Sequence, residues 1–263
     1  MLKKLLKYDL KNKFKFLAIF YSLAIFFAVL TRIFFTIENS FIMNVIAQIC
    51  SGVTISMMFN IIINNLIRLW VRFKQNLYGD ESYLTHTLPI KKSVLYTSKA
   101  LSAFVSTFAS VVVIAITLFI AYYSKENIEI VKQILLPVAN IYDSSILKIL
   151  IAFFAIFFLE FANILQSGYT GIIIGHKMDN LKTGYSILFG FSIYMITQTL
   201  VLAMMFIYAL FDVNIMNLFH TTAVIDAQTI KSVIYLSIAA YSILLIAVYL
   251  VNLKLFKKGV NVD

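Results

Sequence analysis

Residues 100–123 read ALSAFVSTFASVVVIAITLFIAYY and contain no charged side chain. About 20 apolar residues suffice for an α-helix to cross the hydrocarbon core of a bilayer. Comparable apolar runs lie at 16–35, 41–66, 148–174, 184–211 and 232–253. The sequence therefore predicts six transmembrane helices.

The overall composition agrees with lipid as the solvent. Hydrophobic residues make up 61% of the chain and charged residues 13%, whereas soluble domains have about 45–50% and 25%. The apolar runs are too long for the strands of a membrane barrel, and they lack the alternation of such strands. We therefore expect an all-α membrane protein. The two prolines, Pro89 and Pro137, fall in polar connections, which leaves the six runs free of helix breakers.

The first 15 residues place leucines on one helical face and lysines on the other. The leucines are Leu2, Leu5, Leu6 and Leu10, and the lysines are Lys3, Lys4, Lys7 and Lys11. This pattern predicts an N-terminal amphipathic helix in the interfacial headgroup layer, residues 1–15, with a disordered basic anchor as the alternative. Residues 16–253 form the predicted six-helix transmembrane domain, and 254–263 a cytoplasmic tail.

The basic residues predict the orientation. Six spans put both termini on one side, and most of the 22 Lys and Arg residues lie on that side, in the termini and in connections 67–99 and 175–183. The positive-inside rule places both termini in the cytoplasm of a multi-pass protein of the cytoplasmic (plasma) membrane. The net charge of +10 then reflects topology and contact with anionic membrane lipid rather than nucleic acid. The external connection 124–147 is too short for a domain.

The sequence lacks the motifs of common enzymes. No Gly-Lys dipeptide is present, so a phosphate-binding loop of that type is excluded. The three histidines, His86, His176 and His220, are far apart in the sequence, and Cys50 is the only cysteine. We therefore predict no catalytic residue, no metal site and no cofactor in this chain.

The fourth span carries an acidic residue near its middle, followed by small residues. Glu160 and Asn163 lie on one helical face, and Ser167, Gly171 and Gly175 continue it at four-residue spacing. A carboxyl group in the bilayer should face protein or water. Two interpretations stay open for Glu160: a packing residue, protonated or paired with a neighbour such as Asn163, or part of a substrate pathway. The small residues predict the close approach of another helix.

The second span carries a similar stripe every four residues. Its members are Gly52, Ser56, Asn60, Asn64 and Arg68. Amide side chains in lipid seek partners, so we interpret this face, with Asn60 and Asn64, as a helix or subunit contact. A translocation route is the alternative. The fifth span has a further polar cluster, Thr197, Gln198 and Thr199, open to the same two interpretations.

The connection between the second and third spans contains a polar island. It reads Tyr78-Gly79-Asp80-Glu81-Ser82-Tyr83-Leu84-Thr85-His86-Thr87-Leu88-Pro89. The sequence predicts a short helix over 79–87 that ends before Pro89, because the residue preceding a proline disfavours helix. Such a helix suits insertion into a groove on a soluble partner, and an ordinary solvated loop is the alternative.

This run, with Ser98-Lys99 downstream, resembles the first cytoplasmic loop of type-2 ABC transporter permeases of Gram-positive bacteria. The opening Leu6-Lys7-Tyr8-Asp9-Leu10-Lys11 is similar to the start of those permeases. The resemblance implies a permease subunit that pairs with a second permease copy or a homologous permease. ABC ATPase subunits, separate polypeptides that hold ATP and Mg²⁺, would dock beneath.

The resemblance also implies which residues contact the ATPase. The main coupling residues would be Tyr78, Gly79, Asp80, Glu81, Ser82, Tyr83, Leu84, Thr85 and His86, and a second contact would comprise Gly175, His176, Lys177 and Asp179. The implied function is export of a hydrophobic or peptide substrate such as an antimicrobial peptide. A non-transporting membrane immunity or scaffold protein is the alternative. A secondary transporter is a third possibility, but repeated halves are not visible.

Overall fold

A computed structural model describes residues 2–37, 40–141, 145–216, 219 and 227–258. Within these ranges the chain is helical and contains no strand. Six long helices are α1 Leu2–Thr36, α2 Phe41–Leu77, α4 Lys92–Tyr122, α6 Ile146–Gly175, α7 Lys182–Ala209 and α9 Ala227–Lys257, and three shorter ones are α3 Ser82–Thr87, α5 Lys125–Ile141 and α8 Val213–Met216. All six long helices are apolar enough to cross a membrane. The predicted all-α membrane fold with six spans is confirmed.

The first helix runs without a break from Leu2 to Thr36. Residues 2–15 are therefore helical and continuous with the first span, and their place in the headgroup layer stays a prediction. Two polar contacts join this first part of α1 to the start of α4: Lys13 Nζ donates to Ser102 Oγ at 2.7 Å, and Lys99 Nζ lies 2.8 Å from Asp9 Oδ1. The lysines of this first part of α1 are thus not all directed to solvent, because Lys13 is buried.

The connection at 124–147, for which the sequence predicts no helix, is mostly helical. It contains α5, and Pro137 lies inside that helix. Val138 and Ala139 of α5 are buried against Ile149 of α6. An apolar face covered by the next helix stabilises α5, although proline removes one backbone hydrogen bond.

The chain folds into two compact units. Unit 1 comprises Met1–Val71 and Val94–Glu129, and unit 2 comprises Arg72–Ser93 and Ile130–Asp263. The boundaries fall within α2, α4 and α5. The segment that carries α3 therefore belongs to unit 2, although the longer parts of the helices that flank it belong to unit 1.

Small polar side chains hold the interior of unit 1 together. Asn65 of α2 donates through Nδ2 to Ser110 Oγ of α4 at 2.9 Å and accepts from Ser106 Oγ at 2.8 Å. Tyr21 of α1 hydrogen-bonds the same Ser110 oxygen at 2.8 Å. Interhelical hydrogen bonds of this kind satisfy polar groups that lipid cannot.

Unit 2 contains a very close crossing of α6 and α7. A Cβ atom added to Gly171 would overlap the backbone of Ser186 and Gly190, and one added to Gly175 would overlap Ser186. The close approach predicted from the small residues of α6 is present, and α7 is the helix that makes it. On another face of α6, Asn252 of α9 donates to the side-chain oxygen of Gln166 at 3.0 Å.

Candidate functional site

The polar connection between α2 and α4 folds into the short helix α3, as predicted. Leu88 follows α3 with extended backbone angles and precedes Pro89, which fits the restriction that proline places on the preceding residue. Tyr83 is 76% exposed and Leu84 is 71% exposed. The helix thus presents two large side chains away from the rest of the chain.

The opposite side of α3 is fixed to the end of α2. Ser82 is buried, and His86 Nε2 lies 3.1 Å from the carbonyl oxygen of Leu77. Arg72 Nη1 lies 3.2 Å from Glu81 Oε1, and Asn76 donates to the other oxygen of Glu81. Glu81 therefore has partners within the chain.

Tyr78, immediately after α2, is the centre of an aromatic cluster. It is only 2% exposed, and its ring centroid lies 4.5 Å from that of His176 and 6.5 Å from that of Phe73. Phe73 stacks on Tyr169 of α6 at 4.0 Å. We name Phe73, Tyr78, Tyr169 and His176 the junction cluster. Burial raises the pKa of Tyr78, so its hydroxyl is neutral at physiological pH.

His176 follows the last residue of α6 and is 1% exposed. Its Nδ1 lies 2.8 Å from the carbonyl oxygen of Ile172 and 3.4 Å from Ser186 Oγ. Because a carbonyl only accepts, Nδ1 carries the hydrogen and Nε2 is the basic nitrogen. Burial lowers the pKa of His176, and Lys74 and Lys182 lower it further, while the hydrogen bond to Ile172 raises it.

The second predicted contact has an inner and an outer part. Gly175 and His176 are buried, whereas Lys177 and Asp179 are exposed. Leu181 ends this turn with a left-handed φ of 49° and is 80% exposed. Left-handed backbone is uncommon for a branched, bulky residue and marks local strain.

The two predicted contact segments are adjacent in unit 2. The Tyr78–His176 stack joins them, and Lys74 Nζ of α2 donates to Thr183 Oγ1 of α7 at 2.7 Å. Sequence reasoning treated 78–86 and 175–179 as separate contacts. It missed Phe73 and Tyr169, which carry no signal beyond their aromatic character.

Within the spans, Glu160 of α6 belongs to a hydrogen-bonded cluster in unit 2. Its Oε1 accepts from Tyr194 Oη at 2.9 Å and from Gln198 Nε2 at 2.9 Å. Gln198 Oε1 in turn accepts from Tyr241 Oη of α9 at 2.9 Å. Glu160 Oε2 is buried without a hydrogen-bond partner among the described residues. We name Glu160, Tyr194, Gln198 and Tyr241 the carboxyl cluster.

Asn163 is not the partner of Glu160. It donates through Nδ2 to Thr197 Oγ1 of α7 at 3.0 Å. Thr197 and Gln198 of the polar cluster noted in the fifth span thus contact polar residues of the fourth, whereas Thr199 is exposed and donates to the carbonyl of Met195 in its own helix. The tyrosines of the carboxyl cluster were missed, and the one available signal is that Tyr194 lies one helical turn before Gln198.

Asn60 and Asn64 lie in unit 1 and turn their amides to their own helix. Asn60 Nδ2 donates to the carbonyl of Ser56 at 2.9 Å, and Asn64 Nδ2 donates to that of Asn60 at 2.9 Å. Asn60 and Ser56 are exposed, and a Cβ on Gly52 would meet no atom within 4 Å. Among the described residues, the part of the predicted contact face from Gly52 to Asn60 is therefore open, whereas Arg68 at its end lies over the Phe16 ring of α1 at 4.0 Å.

The described residues contain no group of three His, Cys, Asp or Glu residues that could hold a metal ion. His220 lies outside the described part of the chain. No protein-family model, curated protein or solved structure matches this sequence. The resemblance to permeases therefore depends on the loop and N-terminal residues quoted above.

Proposed function

We propose that this chain is the permease subunit of an ATP-driven ABC exporter and that α3 is where a separate ATPase subunit docks. The observation that carries the proposal is the two-sided character of α3. Tyr83 and Leu84 are exposed, while Glu81 and His86 fix the other side of the helix to α2. Exposed aromatic and aliphatic anchors on a rigid support are what a groove in a partner protein binds best.

The orientation in this proposal comes from the basic residues. With both termini in the cytoplasm of the plasma membrane, α3 and the 176–181 turn lie on the side where ATP is available. The ATPase subunits would hold ATP and Mg²⁺, and this chain, paired with a second copy or a homologous permease, would form the pathway. Hydrophobic or peptide substrates, such as an antimicrobial peptide, fit a membrane domain with short external connections.

We give the residues of the predicted coupling segment different roles according to whether their side chains are exposed or buried. Tyr83 and Leu84 would touch the partner, and Asp80 lies beside them with an exposed side chain. Tyr78 and Ser82 are buried and would support the helix from beneath. In the second contact, Lys177 and Asp179 would reach the partner, because Gly175 and His176 are buried.

The test is capture of the tagged full chain from its native membrane in mild detergent, with bound proteins identified by mass spectrometry. We expect a stoichiometric ABC ATPase. The double variant Tyr83→Ala/Leu84→Ala should bind at least about tenfold less ATPase, because central anchors each contribute more than about 1 kcal/mol to binding. Phe211→Ala, at an exposed position two residues after the end of α7, is the matched control and should capture normally.

Two outcomes would overturn parts of the proposal. An intact, folded chain that captures no ABC ATPase would contradict the permease assignment and favour the immunity or scaffold alternative. Normal capture by the Tyr83→Ala/Leu84→Ala variant would leave the permease assignment standing and contradict α3 as the docking helix.

A further inference from the structure

The position of α3 depends on a short chain of contacts within unit 2. Glu81 and His86 attach α3 to the last turn of α2. That turn is attached to α6 and α7 by the junction cluster and by the hydrogen bond between Lys74 and Thr183. Whatever loosens the junction cluster therefore loosens α3.

His176 is the member of the junction cluster whose charge can change near physiological pH. Its Nδ1 hydrogen is committed to the Ile172 carbonyl, so an added proton must enter at Nε2. The charged groups that act on the ring are Lys74 from α2 and Lys182 from α7, and both are positive. Tyr78, which faces the ring, is neutral because burial raises its pKa.

We propose that the Tyr78–His176 stack is the joint that holds residues 72–93 against the rest of unit 2, and that protonation of His176 opens it. Tyr78 and His176 are positioning residues: they set where α3 lies and do not touch the partner. A third positive charge beside the two lysines, in a buried site against an aromatic cluster, is disfavoured by burial and by repulsion. The neutral ring packs there without that cost.

The direction of the pH effect follows from the lowered pKa of His176. The folded junction resists protonation at a pH where a free imidazole has begun to accept a proton. Its stability is complete above the ordinary histidine value of about 6.5 and falls as the pH drops through that value towards the lowered pKa. The joint is closed at neutral pH and opens on acidification.

The joint is a property of the fold, and only its use in coupling to an ATPase rests on the proposed function. It can be tested on the purified full chain in detergent with no partner present. A fluorophore is attached to Leu84→Cys in a Cys50→Ala background, and its nanosecond anisotropy decay is recorded at about pH 7.5 and about pH 5. A label at Phe211→Cys reports on motion elsewhere in unit 2.

For the parent chain we expect the mobile fraction of the Leu84 label to rise at least about twofold on acidification, with no change at the Phe211 label. His176→Phe keeps a ring against Tyr78 and should stay rigid at both pH values. His176→Ala should be mobile already at neutral pH, and adding Tyr78→Ala should increase the mobility little, because both changes remove the same stack. Tyr78→Phe keeps the ring and should behave like the parent.

His86 also contacts α2, so the acid response must survive in His86→Gln. Two results would overturn the joint: an acid response that persists in His176→Phe, or a Leu84 label in His176→Ala that is as rigid as in the parent. If His176→Ala does not purify folded, Tyr78→Ala removes the same stack from the other side. Failure to capture an ATPase in the earlier experiment would leave these outcomes unchanged.

Discussion

One face of α6 and one face of α2 carry small or polar residues at the same four-residue spacing, but the first is packed against another helix and the second is exposed. On α6, Gly171 and Gly175 lie against the backbone of α7 so closely that neither has room for a Cβ atom. On α2, Gly52 has no neighbour within 4 Å of that position, and Asn60 bonds its own helix. The spacing indicates a face that another helix could approach closely. Whether the face is buried depends on whether a helix of the same chain lies beside it.

The chemistry of the two faces explains how each is tolerated. The α6 face gains stability from backbone-to-backbone packing, which needs glycine at the crossing point. Asn60 and Asn64 of the α2 face each donate from Nδ2 to a carbonyl of the preceding turn, so the face is tolerated in lipid without a partner and can still accept one. Substitutions on the two faces should therefore have different effects on the free energy of unfolding.

The largest effect is expected at the α6–α7 crossing. Gly171→Ala forces a methyl group into the backbone of Ser186 and Gly190, and overpacking of this kind costs about 1–3 kcal/mol or more. Unfolding in mixed micelles, followed by circular dichroism, measures the loss. Gly184→Ala in α7 is the matched control, because its Cβ would meet no atom within 4 Å. Equal losses for the two variants would contradict the close crossing.

The next largest effect is expected in the carboxyl cluster. Glu160→Leu leaves Tyr194 and Gln198 without their shared acceptor, and we expect a loss of about 1–2 kcal/mol in the free energy of unfolding. Glu160→Gln keeps an acceptor oxygen and should lose less than about 0.5 kcal/mol. The same micelle unfolding measures both. Lost transport in Glu160→Gln, with normal assembly, would assign Glu160 to a substrate pathway.

The sequence predicted the six spans and α3 because both depend on local patterns. Apolar length defines a span wherever the helix lies, and Pro89 ends α3 whatever covers it. The helix α5 was missed because its apolar face is short and interrupted by Pro137, and Val138 and Ala139 become buried only when α6 lies beside them.

The candidate site was predictable as separate pieces only. The segments 78–86 and 175–179 stand out in the sequence, but their contact depends on which helix ends are neighbours in space. Phe73, Tyr169 and Tyr241 acquire their roles from partners on other helices. In a chain this rich in aromatic residues, composition and spacing do not single them out.

A smaller difference in the free energy of unfolding is expected between variants of two adjacent asparagines of α2. Asn65 exchanges hydrogen bonds with Ser106 and Ser110 of α4, whereas Asn64 Nδ2 bonds the carbonyl of Asn60 in the same helix. Asn65→Leu should cost about 1 kcal/mol, since interhelical hydrogen bonds in membranes average about 0.6 kcal/mol each. Asn64→Leu should cost clearly less in the same unfolding assay. If Asn64→Leu costs as much as Asn65→Leu, the open α2 face is buried by part of this chain.

The smallest effect on the isolated chain is expected at Gly52. Because no atom lies within 4 Å of its missing Cβ, Gly52→Ala should not lower the free energy of unfolding and should raise it by at most about 1 kcal/mol. Alanine also favours helix over glycine, so the change should be slightly stabilising. Energy transfer between labelled copies in vesicles then tests the same variant for self-association. Reduced association with undiminished stability would identify this face as a contact with a second copy, whereas unchanged association would place that contact elsewhere.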